Sequence, residues 1–173
     1  MKKRLLSLLL ALSLLNIPVL AAENSTDNFT RSKTYSGQFS DLPEDHTFYE
    51  NVAALYEYGL SVGQTDGTYG LAAHMTVGQA VIFAGRIRSL YRTGDPEAGP
   101  AAFTAAAVEL KGAQRTYAPY LWYLQSEGVL DKALDNQLSQ TATRAQMAHV
   151  LANLLPETAL PLINDSLVTQ AYA

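Results

Sequence analysis

Apolar residues recur along this chain at helical spacing, in two runs that repeat one another. From Phe48 to Tyr58 the positions Val52, Leu55 and Tyr56 share one helical face, and Gly59 ends the run. The polar turn "GQTDGTYG", Gly63 to Gly70, follows. A second helix is predicted from about Val77 to Tyr91, with Ala80, Phe83, Ala84 and Ile87 facing inward. The order then returns: a helix over Ala118 to Glu127 with Leu121 and Leu124, a stop at Gly128, a polar turn from Asp131 to Gln140, and a helix from about Arg144 to Leu155.

The two copies keep register. Ala80, Phe83, Ala84 and Ile87 map at an offset of 67 onto Met147, Val150, Leu151 and Leu154, while Val52, Leu55, Gly59 and Leu60 map at 69 onto Leu121, Leu124, Gly128 and Val129. An internal repeat follows, its second turn two residues shorter. Both long helices also open alike, Thr76 being followed by Gln79 and Thr143 by Gln146, three residues on. In this capping box the threonine oxygen accepts from the third helical amide and the glutamine reaches back to the amide of the cap. Thr76, Gln79 and Thr143 are therefore expected as helix caps, and the fold as all-α or nearly so, made of tandem helix-turn-helix units.

Thr93 to Gly99 reads as a loop, and the alanine-rich "PAAFTAAAVELKG" after it as an inserted helix with Pro100 at its start. Glu23 to Gln38 is polar, without apolar periodicity, and reads as a flexible spacer. The final "LPLINDSLVTQAYA" fits a strand, a linker or a helix. The expected division is a leader over 1–21, a spacer over 22–38, a first unit over 39–92, the inserted loop and helix over 93–116, a second unit over 117–156, and over 157–173 a linker or the start of a further unit.

Composition narrows the function classes. A chain of 173 residues with 48% hydrophobic content buries a core of useful size. Its first residues pass from Lys2-Lys3-Arg4 through a leucine-rich stretch to Val19-Leu20-Ala21, the pattern of a cleaved secretory signal, with an uncleaved membrane anchor as the alternative. Cleavage leaves nine basic against sixteen acidic groups, a formal charge of −7, which makes nucleic acid a poor partner. Cysteine is absent, so disulfides, thiol nucleophiles and cysteine zinc sites are excluded. There is no Gly-x-Ser-x-Gly elbow or phosphate-binding glycine loop, and His46, His74 and His149 are scattered. Asp41, Glu44 and Asp45 lack calcium-loop spacing. No catalytic residue, cofactor or metal site is expected.

One family pattern fits the first unit. Phe39-Ser40-Asp41-Leu42-Pro43, Gly59-Leu60-Ser61-Val62-Gly63, Asp66-Gly67-Thr68-Tyr69 and Met75-Thr76-Val77-Gly78-Gln79 occur in the order found in the S-layer homology domains of bacterial surface proteins, and the first unit resembles one. The second unit resembles the family through Gly128-Val129 and Thr143-Arg144-Ala145-Gln146 and lacks the Phe-x-Asp opening; Ile163-Asn164-Asp165-Ser166 is similar to the opening of a third copy. The resemblance implies units packed as a partial pseudo-threefold bundle, in a secreted module held noncovalently at the cell wall or surface by an acidic polysaccharide attached to peptidoglycan. It assigns Arg144, Gln146, Asp41 and Gly63 to polysaccharide binding. Arg144 fills the motif arginine, which is Val77 in the first unit, and Thr47 stands for the usual tryptophan. The residues also admit plainer readings: Arg144 as a surface arginine paired with an acid, Asp41 as the cap of a turn or helix, and the whole as a structural or protein-interaction module of a larger surface protein.

Overall fold

The computed structural model describes residues 24–160. The leader and the Ile163 to Ser166 opening lie outside the described residues. Within them the chain is helical, with α1 at Tyr49–Glu57, α2 at Val77–Thr93, α3 at Ala98–Thr104, α4 at Ala113–Ser126 and α5 at Arg144–Ala152, and short 3-10 turns at Thr26–Asn28 and Glu157–Ala159. No strand occurs among the described residues, which bear out the all-α expectation; one isolated antiparallel bridge joins Thr76 to Thr141. No helix there is long and apolar enough to cross a membrane.

Both capping boxes form. The Thr76 hydroxyl accepts from Gln79 N–H (3.2 Å) while Gln79 Oε1 accepts from Thr76 N–H (2.8 Å), and Thr143 and Gln146 repeat the exchange at 3.1 and 2.8 Å. Each threonine holds extended backbone, which directs its oxygen over the first turn. α2 and α5 consequently begin at the residues the sequence marks. α2 runs to Thr93 and is closed by Gly94 in the left-handed region.

α2 is the axis of the molecule, packed against α3, α4 and α5. Val77, Ala80, Val81 and Ala84 are buried in the main core with Leu121, Leu124, Val129, Leu130, Leu134, Leu138, Val150 and Leu154. Small side chains suit a helix surrounded on several sides, because they let neighbours approach. α5, the last of the described α-helices, buries Val150, and Leu154 just beyond it is also buried, but Leu151 is exposed, against the inward position its register predicts. α4 begins at Ala113, earlier than expected, and carries Pro119 within it. In α3 Pro100 falls in the first turn, where its missing N–H costs no helical bond.

A second, smaller core belongs to the first unit. Phe39, Leu42 and Val52 are buried there beneath Tyr35, Tyr49, Tyr56, Tyr69 and Leu71. Tyr35 lies 5.5 to 5.8 Å from the rings of Phe39, Tyr49 and Tyr56, distances suited to aromatic pairing. The segment expected to be a spacer thus contributes a core residue. Its backbone is bonded too: Ser25 N–H donates to Tyr91 O, Ser32 N–H to Glu57 O and Tyr35 N–H to the Glu57 carboxylate.

Candidate functional site

The two helix starts have identical caps and opposite surroundings. At α2, Val77 N–H donates to Gln140 O (2.9 Å) and Gly78 N–H to Leu138 O (2.8 Å), both carbonyls coming from the turn of the second unit. The first two amides of a helix, ordinarily available to an anion, are consumed by protein. Val77 itself is fully buried. The motif position of the first unit is a packing position, closed to any ligand.

At α5 the corresponding position is open. Arg144 is exposed and has no hydrogen bond or ion pair with a described residue, and the amides of Arg144 and Ala145 are likewise unbonded there. The three arginines of α2 behave differently. Arg86 bonds Glu97 at 2.8 Å, and Arg88 and Arg92 both reach Glu127 Oε2, at 3.1 and 3.3 Å. Arg88 also donates to Leu154 O (3.1 Å), tying α2 to the segment just past α5. These are struts between elements, whereas Arg144 braces no described residue.

The other residues assigned by resemblance are occupied by the fold. Gln146 accepts from Thr143 N–H and Oγ1–H at Oε1 and donates from Nε2 to Gln137 Oε1 (2.7 Å), so its side chain serves the cap and the preceding turn. Asp41 accepts from the amides of Tyr69 (2.6 Å), Gly70 (2.8 Å) and Leu71 (3.2 Å), closing the first unit's loop over its opening. The Tyr69 amide, with those of Gly70 and Leu71 in support, holds the Asp41 carboxyl below its ordinary value of 3.8 despite partial desolvation. Gly63 has φ +70°, and a Cβ there would enter the Phe39 ring. Asp41 and Gly63 therefore meet around Phe39 in the first unit, while Arg144 and Gln146 stand at the start of α5. No hydrogen bond or ion pair joins the two groups.

Sequence reasoning did not identify the Glu97 cluster, where Arg86 Nε and Tyr120 O–H (2.6 Å) share one carboxylate. Burial first, then the bond to Glu97, pushes the Tyr120 hydroxyl up to about 12. Tyr123 is also raised to about 12, by burial and then by the charge of Glu127. Both groups hold α4 against its neighbours. Nothing local in the sequence marks them.

No curated protein and no solved structure matches the chain. The family model described as S-layer homology domain matches residues 38–76, from the segment that opens the aromatic core to the threonine that caps α2. That stretch contains the Asp41 clamp, the Gly63 contact with Phe39 and the turn before Thr76. Residues 38–76 are thus similar to an S-layer homology domain, a family of binding modules that attach proteins to the cell wall and cell surface.

Proposed function

We propose that the chain attaches noncovalently to the bacterial wall by binding an acidic secondary wall polysaccharide through Arg144. The supporting observation is the state of that arginine: exposed, unpaired with any described acid, and at the first position of α5. A cation there faces the positive end of the helix dipole, at a cost of about 0.3–1 kcal/mol. A sugar carboxylate or ketal acid reverses the sign by charge-assisted hydrogen bonding to the guanidinium. The Asp41 clamp, Gly63 and the Gln146 cap shape the loops around the units, and secretion through the 1–21 leader delivers the module to the wall.

The burial of Val77 and the closure of the α2 start favour a second reading, a structural or protein-interaction module with no glycan contact. Co-sedimentation with purified wall sacculi, before and after chemical stripping of the secondary polysaccharide, separates the two. The attachment reading expects binding to intact walls that stripping abolishes. Failure to bind intact walls overturns it.

A further inference from the structure

The junction between the two units is built on main-chain groups. Val77 N–H donates to Gln140 O, Gly78 N–H to Leu138 O, and Ala142 N–H to Met75 O at 2.8 Å, around the bridge of Thr76 with Thr141. Carried forward by the repeat offset of 67, the groups matching Val77 N–H, Gly78 N–H and Met75 O are Arg144 N–H, Ala145 N–H and Ala142 O. Carried backward, the groups matching Leu138 O, Gln140 O and Ala142 N–H are Leu71 O, Ala73 O and Met75 N–H. None of these six groups has a hydrogen bond to a described residue. Among the described residues, one end displays half of the observed junction, and the other end displays the complementary half.

The apolar surface follows the same logic. Phe48, 57% exposed, occupies the place of Tyr117, whose ring packs on Gly78 within the existing junction. Leu151, 37% exposed, occupies the place of Ala84, which is fully buried. Met75 is exposed at 42% beside the unbonded turn. Where Val77 fills the existing junction, the α5 end offers the Arg144 cation. The opposite end carries Glu44, Asp45 and Asp66, none in an ion pair among the described residues.

We infer that copies of this chain associate head to tail, the start of α5 in one copy receiving the 71–75 turn and Phe48 of the next, in the arrangement that α2 makes with the 138–142 turn. The interface is heterologous, so it builds open chains unless the rotation closes. An open assembly leaves one Arg144 uncovered at its end, and the inference therefore goes beyond the wall-binding reading without competing for every contact.

The test is sedimentation velocity on the secreted chain without wall polymer. Leu151→Glu sets a carboxylate against the acidic edge of the next copy, and Phe48→Lys sets a cation against Arg144; both sites are exposed, so each variant keeps the parent's circular dichroism. The parent is expected to gain mass with concentration, and each variant alone to remain monomeric. An equimolar mixture of the two variants retains one good half-junction from each and is expected to form a 1:1 dimer. A parent that stays monomeric, a variant that associates as the parent does, or a mixture that stays monomeric overturns the inference. Because both variants keep Arg144, their binding to sacculi reports on wall attachment separately.

Discussion

The ring of Tyr117 in α4 lies on the bare backbone of Gly78 in α2, so closely that a methyl group on Gly78 would enter the ring. The relationship recurs along α4. Tyr120 covers Gly85 of α2 and Tyr123 covers Gly99 of α3, so tyrosines at i, i+3 and i+6 share one face and each meets a glycine. Glycine at the second position of a capped helix is a poor helix former, and its presence is explained by what rests on it.

Gly78→Ala tests this by setting two effects against each other. Alanine gains about 1 kcal/mol of helix propensity, while overpacking against a ring costs about 1–3 kcal/mol. The steric effect wins because the ring is backed by the core. Urea denaturation is expected to show a net loss of about 1 kcal/mol. In a Tyr117→Ala background the sign reverses, and the second substitution stabilises.

Val77→Arg restores the family arginine to the first unit, and the structure predicts harm. Val77 is fully buried and its amide is held by Gln140 O, so the charge has neither solvent nor a partner. An unpaired buried charge costs several kcal/mol. Thermal and urea midpoints should fall steeply, with no gain in wall binding. A well-folded variant with improved binding would show that the α2 start is open after all.

The helix starts were legible because a capping box is a local device: Thr76 with Gln79 and Thr143 with Gln146 are decided within four residues. The inward faces of α2 and α5 were legible for a similar reason, since buried positions such as Ala80, Ala84 and Val150 follow helical spacing. Long-range events left no such trace. Tyr35 joins the aromatic core from a polar stretch, and Leu151 is exposed on the last of the described α-helices, which no window of sequence records. For the candidate site, the residue type of Arg144 was readable and its lack of a partner among the described residues was not. Asp41 was readable as a capping acid, but its three amides lie 28 to 30 residues away.

Acid should loosen the first unit through Asp41. Its folded pKa is depressed below 3.8, so its contribution is fully present above that value and is lost as pH falls through the lower folded one. Tyrosine fluorescence from the aromatic cluster, followed from neutral pH to about pH 2, should report a transition in that window. Asp41→Asn should lower the urea midpoint at neutral pH and flatten the acid dependence.

Alkali should act on α4 with the opposite sign. Tyr120 and Tyr123, raised from 10.0 to about 12, favour the neutral hydroxyl in the fold, so their contribution is complete below pH 10 and is lost as pH rises toward 12. Ultraviolet titration should show a group of tyrosines ionising late, together with loss of helical circular dichroism. Glu97→Gln removes one acceptor charge and should bring the Tyr120 step to lower pH.

Thr143 and Arg144 are neighbours with separable roles, one in the fold and one at the surface. Thr143 caps α5 through Gln146 N–H, so Thr143→Ala should lower stability by about 1 kcal/mol. Arg144 braces no described residue and faces the positive helix end, so Arg144→Ala should leave stability unchanged or raise it by a few tenths of a kcal/mol. Wall binding should respond in reverse: the arginine variant loses retention on sacculi, while the threonine variant keeps it at temperatures where it remains folded. The contact is exposed and ionic, so retention of the parent should also fall as salt shortens the screening length from about 10 Å at 0.1 M to about 3 Å at 1 M. An Arg144→Ala chain that binds intact sacculi as well as the parent, at every salt concentration, would remove this residue from recognition and leave the motif as a helix cap alone.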